Sequence, residues 1–136
     1  MPIRKTAEQR GHGFSVFLRA AIALQTAAIL FQAVTAGLLL STRYGEALHG
    51  GGARGMYAAS MLYVLAAVLA WRPGGGSPRP ILYATGFLVL ASVQVVLGIA
   101  HVPSVHVPLG VLMFGLSVLD LGRVLAGRRA RLTVAA

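Results

Sequence analysis

Four long apolar segments run along the chain, separated by shorter stretches that are rich in glycine, proline and charged residues. A helix of about 20 apolar residues crosses the hydrocarbon core of a bilayer, and each segment reaches or approaches that length. We therefore predict an all-α integral membrane protein, a single-domain four-helix bundle with up-down-up-down topology. The predicted helices cover about residues 15–41, 47–71, 81–100 and 107–125, between polar tails at 1–13 and 127–136.

The start of the second helix decides whether a histidine belongs to it. The second apolar run begins only near Gly55, so its helix reaches spanning length if it starts upstream, between Glu46 and Ala53. In that case His49 is part of the helix. At the other end of this helix, the sequence PGGGSPRP at 73–80 forms a turn that no helix passes through.

The fourth segment carries two further signals. Pro108 suits the first turn of a helix, because the missing N–H of proline has no partner there. Asp120 and Arg123 are three residues apart, so they are expected to pair on one face of that helix.

The composition excludes several classes of protein. Of 136 residues, 57% are hydrophobic and only 11% are charged, and the mean hydropathy is +0.76. Lysine and arginine number 12 against 3 acidic residues, a formal charge of +9, but the basic residues lie between and beyond the apolar runs. We interpret them as topology signals at a lipid bilayer, with no nucleic-acid partner. Without cysteine, disulfides and thiolate metal sites are excluded, and histidine is the obvious metal ligand.

The basic residues also predict an orientation in the cell membrane. If both termini are cytoplasmic, ten basic residues lie inside and only Arg43 and Arg54 lie outside, as the positive-inside rule favours. His49, His101 and His106 then share the outer face of a multi-pass protein. The ten inner residues are Arg4, Lys5, Arg10, Arg19, Arg72, Arg79, Arg123, Arg128, Arg129 and Arg131.

The two halves of the chain resemble each other weakly. Gln32 precedes His49, and Gln94 precedes His106, with a glycine between glutamine and histidine in each half. Two such helical hairpins, related by an axis along the membrane normal, would place the two histidines at matching heights. The alternative is chance, since glutamine and glycine are ordinary packing residues of membrane helices.

Two histidines at one height point to a heme. Imidazole is a common axial ligand of heme iron, and histidines on facing helices of a bundle can bind a porphyrin from both sides. A flat macrocycle needs small neighbours, and both hairpins supply them. They are Gly50, Gly51, Gly52, Ala53, Gly55, Ala58 and Ala59 near His49, and Gly98, Gly110 and Gly115 in the second hairpin. The competing interpretations are a solvated or hydrogen-bonded loop residue for each histidine, and loop flexibility or tight helix packing for the glycines.

Three charged residues near His49 are candidates for supporting roles. Arg43 and Arg54, the outer cations, could pair with heme propionates, or their side chains could simply extend to lipid headgroups. Glu46 lies one helical turn before His49 and is the candidate catalytic residue. It could orient the imidazole, coordinate a cation or stabilise positive charge on a substrate, or it could be an ordinary interface residue.

A site for a bare metal ion is a second interpretation of the histidines. His101 and His106 flank a short loop that His49 could approach, so His101 is a further candidate ligand for copper or zinc. The chain has no HExxH motif and no thiolate, so nothing indicates a hydrolytic zinc site.

These motifs resemble one four-helix half of the heme A synthase family. The sequence Glu46-Ala47-Leu48-His49 is similar to the family's Glu-x-x-His, and the segments 93–98 and 106–110 resemble its third and fourth helices. The resemblance implies a heme b bound by His49 and His106 beside Glu46. The family usually has arginine after the first histidine, where this chain has Gly50, and many members carry a cysteine pair and twice the length. The resemblance therefore implies heme binding more directly than oxidation of a heme methyl group.

Two functions follow as hypotheses. The first is a heme-binding membrane protein with bis-histidine ligation near the outer face, either modifying heme or transferring electrons. The second is a cofactor-free membrane subunit that packs against a larger complex or transporter. In either case a homodimer or a larger membrane assembly is an expected partner arrangement.

Overall fold

The computed structural model describes the backbone of residues 2–72 and 74–134, and the side chains of residues 12–72 and 74–127. Four helices make up the fold: α1 (Pro2–Leu39), α2 (Gly45–Trp71), α3 (Arg79–Ile99) and α4 (Pro103–Val134). Each contains a stretch long and apolar enough to cross a membrane, namely His12–Leu39, Gly45–Trp71, Arg79–Ile99 and Pro103–Gly127. The prediction of an all-α chain with four helices of membrane-spanning length is confirmed.

The helix ends differ from the predicted ones in several places. α1 begins at Pro2, so most of the predicted tail at 1–13 belongs to this helix. α2 begins at Gly45, with Glu46 in its first turn, so His49 does belong to the helix. α4 begins at Pro103, so Pro108 lies inside the helix and not in its first turn. Pro103 takes the start because proline suits the N-terminal position, and the N–H of His106 already bonds the carbonyl of Val102. The predicted tail at 127–136 is largely a continuation of α4.

The helices form a ring in chain order. α1 packs against α2 and α4, and α3 packs against the same two helices. Successive helices are antiparallel, because loops at 40–44, 72–78 and 100–102 reverse the chain. α2 and α4 are consequently parallel and lie diagonally across the bundle. The end that holds the loops 40–44 and 100–102 is called the histidine end below.

Small residues let the helices approach closely. Ala66, Ala67, Ala84 and Ala91 have no exposed surface, and they pack with Tyr63 and Met113 in one core cluster. Many large apolar side chains instead point outward, and Leu82 and Ile99 are 76% and 73% exposed. An apolar exterior around a core of small residues is typical of a multi-pass membrane protein, in which helices pack by close contact rather than by hydrophobic exclusion from water.

The internal repeat extends through the buried positions. Buried or half-buried residues of α2 and α4 correspond at a separation of 57 positions: His49 and His106, Met56 and Met113, Ser60 and Ser117, Tyr63 and Asp120. Those of α1 and α3 correspond at a separation of 62: Ile22 and Ala84, Gln25 and Phe87, Ile29 and Ala91, Gln32 and Gln94. The two hairpins therefore share one packing register. The separations differ by five residues because the first hairpin has a longer loop and longer helix ends beside it.

Candidate functional site

Two imidazoles meet inside the histidine end. His49 lies in the first turns of α2, and His106 lies in the first turn of α4. Their ring centroids are 6.2 Å apart and the ring planes are inclined at 70°. Since α2 and α4 are diagonal to each other, the two half-buried rings approach across the interior of the bundle.

One nitrogen of His106 is committed to the backbone of α3. Its Nδ1 lies 3.1 Å from the carbonyl oxygen of Gln94. A carbonyl can only accept, so Nδ1 carries the hydrogen and donates it. The neutral ring then has its lone pair on Nε2, the nitrogen that remains available to bind a metal.

His49 reaches the same state through a hydroxyl group. Its Nδ1 lies 3.1 Å from Oγ1 of Thr35, and that hydroxyl lies 3.1 Å from the carbonyl oxygen of Gln32. Because the carbonyl takes the hydroxyl hydrogen, Oγ1 is left as an acceptor for the Nδ1–H of His49. Each imidazole is thus fixed, directly or through Thr35, by the backbone carbonyl of a glutamine at equivalent positions of α1 and α3. Both rings present Nε2 as the free nitrogen.

The glutamine side chains pack against glycines of the facing helices. The amide nitrogen of Gln32 donates to the carbonyl of His49 at 3.4 Å. A Cβ at position 52 would collide with this amide and lie 2.8 Å from the ring of Phe31, so Gly52 is required by close packing. Similarly, a Cβ at position 110 would lie 2.9 Å from Nε2 of Gln94.

The predicted open surface of small residues is therefore only partly present. Around Gly50, Gly51 and Gly55 an added Cβ would meet nothing within 4 Å, whereas Gly52 is filled by its neighbours. Gly98 lies against the second imidazole, at 3.5 Å from Cε1 of His106 to its hypothetical Cβ. These three open glycines are exposed on the surface of α2.

The charged candidates are at the surface of the same end. Glu46 and Arg54 are exposed. Arg43 is exposed as well, and its guanidinium donates to the hydroxyl of Tyr44 and lies 4.7 Å from the centre of that ring. None of these three side chains takes part in the hydrogen bonds that orient the histidine pair.

His101 is separate from the pair. It lies in the α3–α4 loop with a positive φ of 53°, it is exposed, and its Nδ1 is 2.9 Å from the carbonyl oxygen of Ile99. Among the described residues, no three histidine, aspartate or glutamate side chains come together as a metal-binding group. The three histidines predicted as a copper or zinc site are not assembled in this way.

Sequence reasoning missed Thr35 and the partner of Asp120. Asp120 was expected to pair with Arg123, but it accepts a hydrogen bond of 2.6 Å from the hydroxyl of Tyr63 on α2, and both side chains are buried. Arg123 instead lies 6.0 Å from the centre of the Tyr83 ring. The only sequence signal for the Tyr63–Asp120 hydrogen bond was the internal repeat, which places these two residues at equivalent positions.

The two free Nε2 atoms of His49 and His106 suit a metal whose remaining ligands come from a bound cofactor. Two metal–nitrogen bonds of about 2 Å in line, plus the ring radii, would put imidazole centroids about 6 Å apart if both Nε2 atoms faced the metal. The observed centroid separation is 6.2 Å. Two imidazoles alone leave a metal ion short of ligands. A group that carries further nitrogen donors of its own would complete the coordination of a metal held by His49 and His106.

No protein-family profile, curated protein or solved structure matches the chain.

Proposed function

We propose that this chain is a heme-binding integral membrane protein, with His49 and His106 as the axial ligands of a b-type heme. One observation carries the proposal: two imidazoles on diagonal helices lie 6.2 Å apart, and each is tied through Nδ1 so that Nε2 is free. The repeated glutamine carbonyls behind both rings support the same conclusion.

The backbone carbonyls of Gln32 and Gln94 would adjust how strongly the two imidazoles bind a metal. A carbonyl that accepts the Nδ1–H makes Nε2 a better donor to a metal and fixes the plane of the ring. When bound, the heme would supply reversible one-electron exchange between ferric and ferrous iron. Two imidazoles would occupy both axial positions, so the site favours electron transfer over binding of a small ligand at the iron.

The surrounding charges support specific secondary roles. Arg43 and Arg54 are exposed guanidinium groups near the site, suited to pairing with the propionates of a heme edge that faces water. Glu46, exposed in the first turn of α2, is the residue we assign to catalysis if the protein modifies heme, where its carboxylate would stabilise positive charge on the substrate. The resemblance of Glu46-Ala47-Leu48-His49 to heme A synthase motifs supports this assignment.

The proposed location is the cell membrane, with both termini cytoplasmic and the histidine pair near the outer face. The distribution of basic residues supports it, since only Arg43 and Arg54 belong to the histidine end. A second copy of this chain or a larger membrane complex would serve as the electron donor or acceptor for such a carrier.

The test is the absorption spectrum of the protein purified in detergent after expression with added heme, recorded before and after dithionite. A heme bound in a ratio near one per chain, with a low-spin spectrum in both redox states, is the expected result. His49→Ala should lose the heme or open one axial position, while His12→Ala should change nothing. A purified wild-type protein with no Soret absorption would reject the proposal in favour of the cofactor-free membrane subunit.

A further inference from the structure

A second site lies far from the histidines. A cleft of about 180 Å³ opens between α3 and α4, toward the end of the bundle opposite the histidine pair. Its walls are mostly apolar, and at its rim Leu82 and Leu119 are 76% and 58% exposed. In a helix bundle of membrane-spanning length, such a cleft opens sideways into lipid and is accessible to molecules dissolved in the bilayer.

Two charged groups line this cleft, a carboxylate that accepts hydrogen bonds and a guanidinium that donates them. Asp120 is only 6% exposed, and one of its oxygens accepts the hydrogen bond from Tyr63. Its other oxygen has no hydrogen-bond partner among the described residues. Arg123 follows three residues later on α4, with the guanidinium near the ring of Tyr83. A buried carboxylate at membrane depth is costly, and it marks a functional position when a further donor can reach it.

We propose that this cleft binds the ring of a lipid-soluble hydroquinone, an aromatic diol with an isoprenoid tail. One hydroxyl donates to the free oxygen of Asp120, and the oxygen across the ring accepts from Arg123. Both residues line the cleft from α4, so the carboxylate and the long arginine side chain can reach one ring from the same helix. The tail leaves over Leu82 into the bilayer.

The size and the charges of the cleft favour this occupant over a phospholipid. Its volume of about 180 Å³ equals roughly six water molecules at ~30 Å³ each, enough for one ring with its substituents. Two aromatic side chains, Tyr83 and Phe87, line it, and aromatic rings pack well against another ring. A phosphate seated here would lie beside the carboxylate of Asp120, and the two negative charges would repel each other.

Binding can be measured without any heme, so this inference stands or falls separately from the proposed function. The probe is decylubiquinol, titrated by calorimetry into the protein in nanodiscs free of quinone. We expect saturable binding of one molecule per chain. The proposal would be overturned if decylubiquinol showed no saturable binding, or if phosphatidylglycerol displaced bound decylubiquinol as effectively as unlabelled decylubiquinol does.

Glycine substitutions provide a matched pair. Around Gly86, which lines the cleft, an added Cβ meets nothing within 4 Å, so the ring in Gly86→Phe can enter the cleft without displacing the backbone. We expect at least tenfold weaker binding. Gly122→Phe introduces the same ring at an equally open position outside the cleft lining and should leave binding unchanged. Equal affinities for the two variants would contradict the proposed location.

The redox form of the probe tests the role of Asp120. Asp120→Asn keeps an oxygen for the hydroxyl of Tyr63 but loses the charged acceptor. Binding of decylubiquinol should weaken at least tenfold, whereas decylubiquinone, whose ring oxygens only accept, should bind this variant at least as tightly as the wild type, because the amide nitrogen can donate to it. Parallel losses for both forms would show that Asp120 does not recognise the hydroxyl.

Discussion

The rings of His49 and His106 lie 6.2 Å apart although the backbones of α2 and α4, in the part of the chain that the structure describes, do not come into contact. Fourteen positions further along the same two helices, Tyr63 donates to Asp120 across the same diagonal. At 1.5 Å per residue the two contacts are about 21 Å apart. The diagonal helices thus meet through side chains at two depths, and each depth carries a chemically distinct pair.

The link through Thr35 can be tested by removing one hydroxyl. Thr35 is 1% exposed, so Thr35→Val preserves its shape but leaves the Nδ1–H of His49 without its acceptor. We expect a loss of about 1–3 kcal/mol in the free energy of unfolding. With heme bound, the reduction potential should rise, because Nε2 becomes a weaker donor to ferric iron.

Thr35→Ser is the control for that experiment. It retains the hydroxyl and should keep both the stability and the potential close to those of the wild type. If valine and serine shift the potential equally, the hydroxyl has no role in orienting or tuning His49.

The packing of Gln32 against Gly52 predicts opposite effects for two neighbouring glycines. Gly52→Ala drives a methyl group into the amide of Gln32 and the ring of Phe31, and we expect a destabilisation of about 1–3 kcal/mol. Gly51→Ala meets open space within a helix and should stabilise by about 0.5–1 kcal/mol. Thermal or denaturant unfolding in detergent measures both, and destabilisation by both would contradict the packing described.

The buried Tyr63–Asp120 pair predicts a non-additive effect. Tyr63→Phe removes the donor and leaves a buried carboxylate with one fewer partner, at an expected cost of about 1–3 kcal/mol. In Tyr63→Phe combined with Asp120→Leu no buried polar group is left unpaired, so much of that loss should be recovered. A double variant as unstable as the sum of the two single variants would show that the residues do not interact.

Orientation is tested by labelling at a position in the α2–α3 loop. Ser77→Cys introduces a unique cysteine into an exposed position of a chain that has none. If the termini and this loop are cytoplasmic, an impermeant maleimide added to intact cells should not react with it, although it should react after lysis. Labelling of intact cells would invert the predicted orientation and move the histidine pair to the cytoplasmic face.

The four helices could be predicted from the sequence because a membrane-spanning helix needs a long, continuous run of apolar residues. The start of α4 could not, since Pro103 and Pro108 both suit a first turn and only the backbone bonds around Val102 decide between them. The separations among glutamines and histidines indicated which residues share a height. These separations predicted that His49 and His106 lie at the same height, but they did not predict which atoms bind the Nδ1 of each ring.

Thr35 and Tyr63 were missed for the same physical reason. Their partners lie 14 and 57 positions away on other helices, at distances fixed by the rotation of one helix against the next. A pattern along one helix, such as the spacing of Asp120 and Arg123, shows only what shares a face. It cannot show that Tyr63, on the diagonal helix α2, donates a hydrogen bond to Asp120 in the interior of the bundle.

The most direct test of the central claim compares His106 with His101, two histidines five residues apart in sequence. The measurement is the electron paramagnetic resonance spectrum of the ferric protein at low temperature, for the wild type, His106→Ala and His101→Ala. Bis-histidine ligation predicts low-spin iron in the wild type and in His101→Ala, and high-spin iron or loss of heme in His106→Ala. A low-spin signal that survives in His106→Ala and disappears in His101→Ala would contradict ligation by the His49–His106 pair.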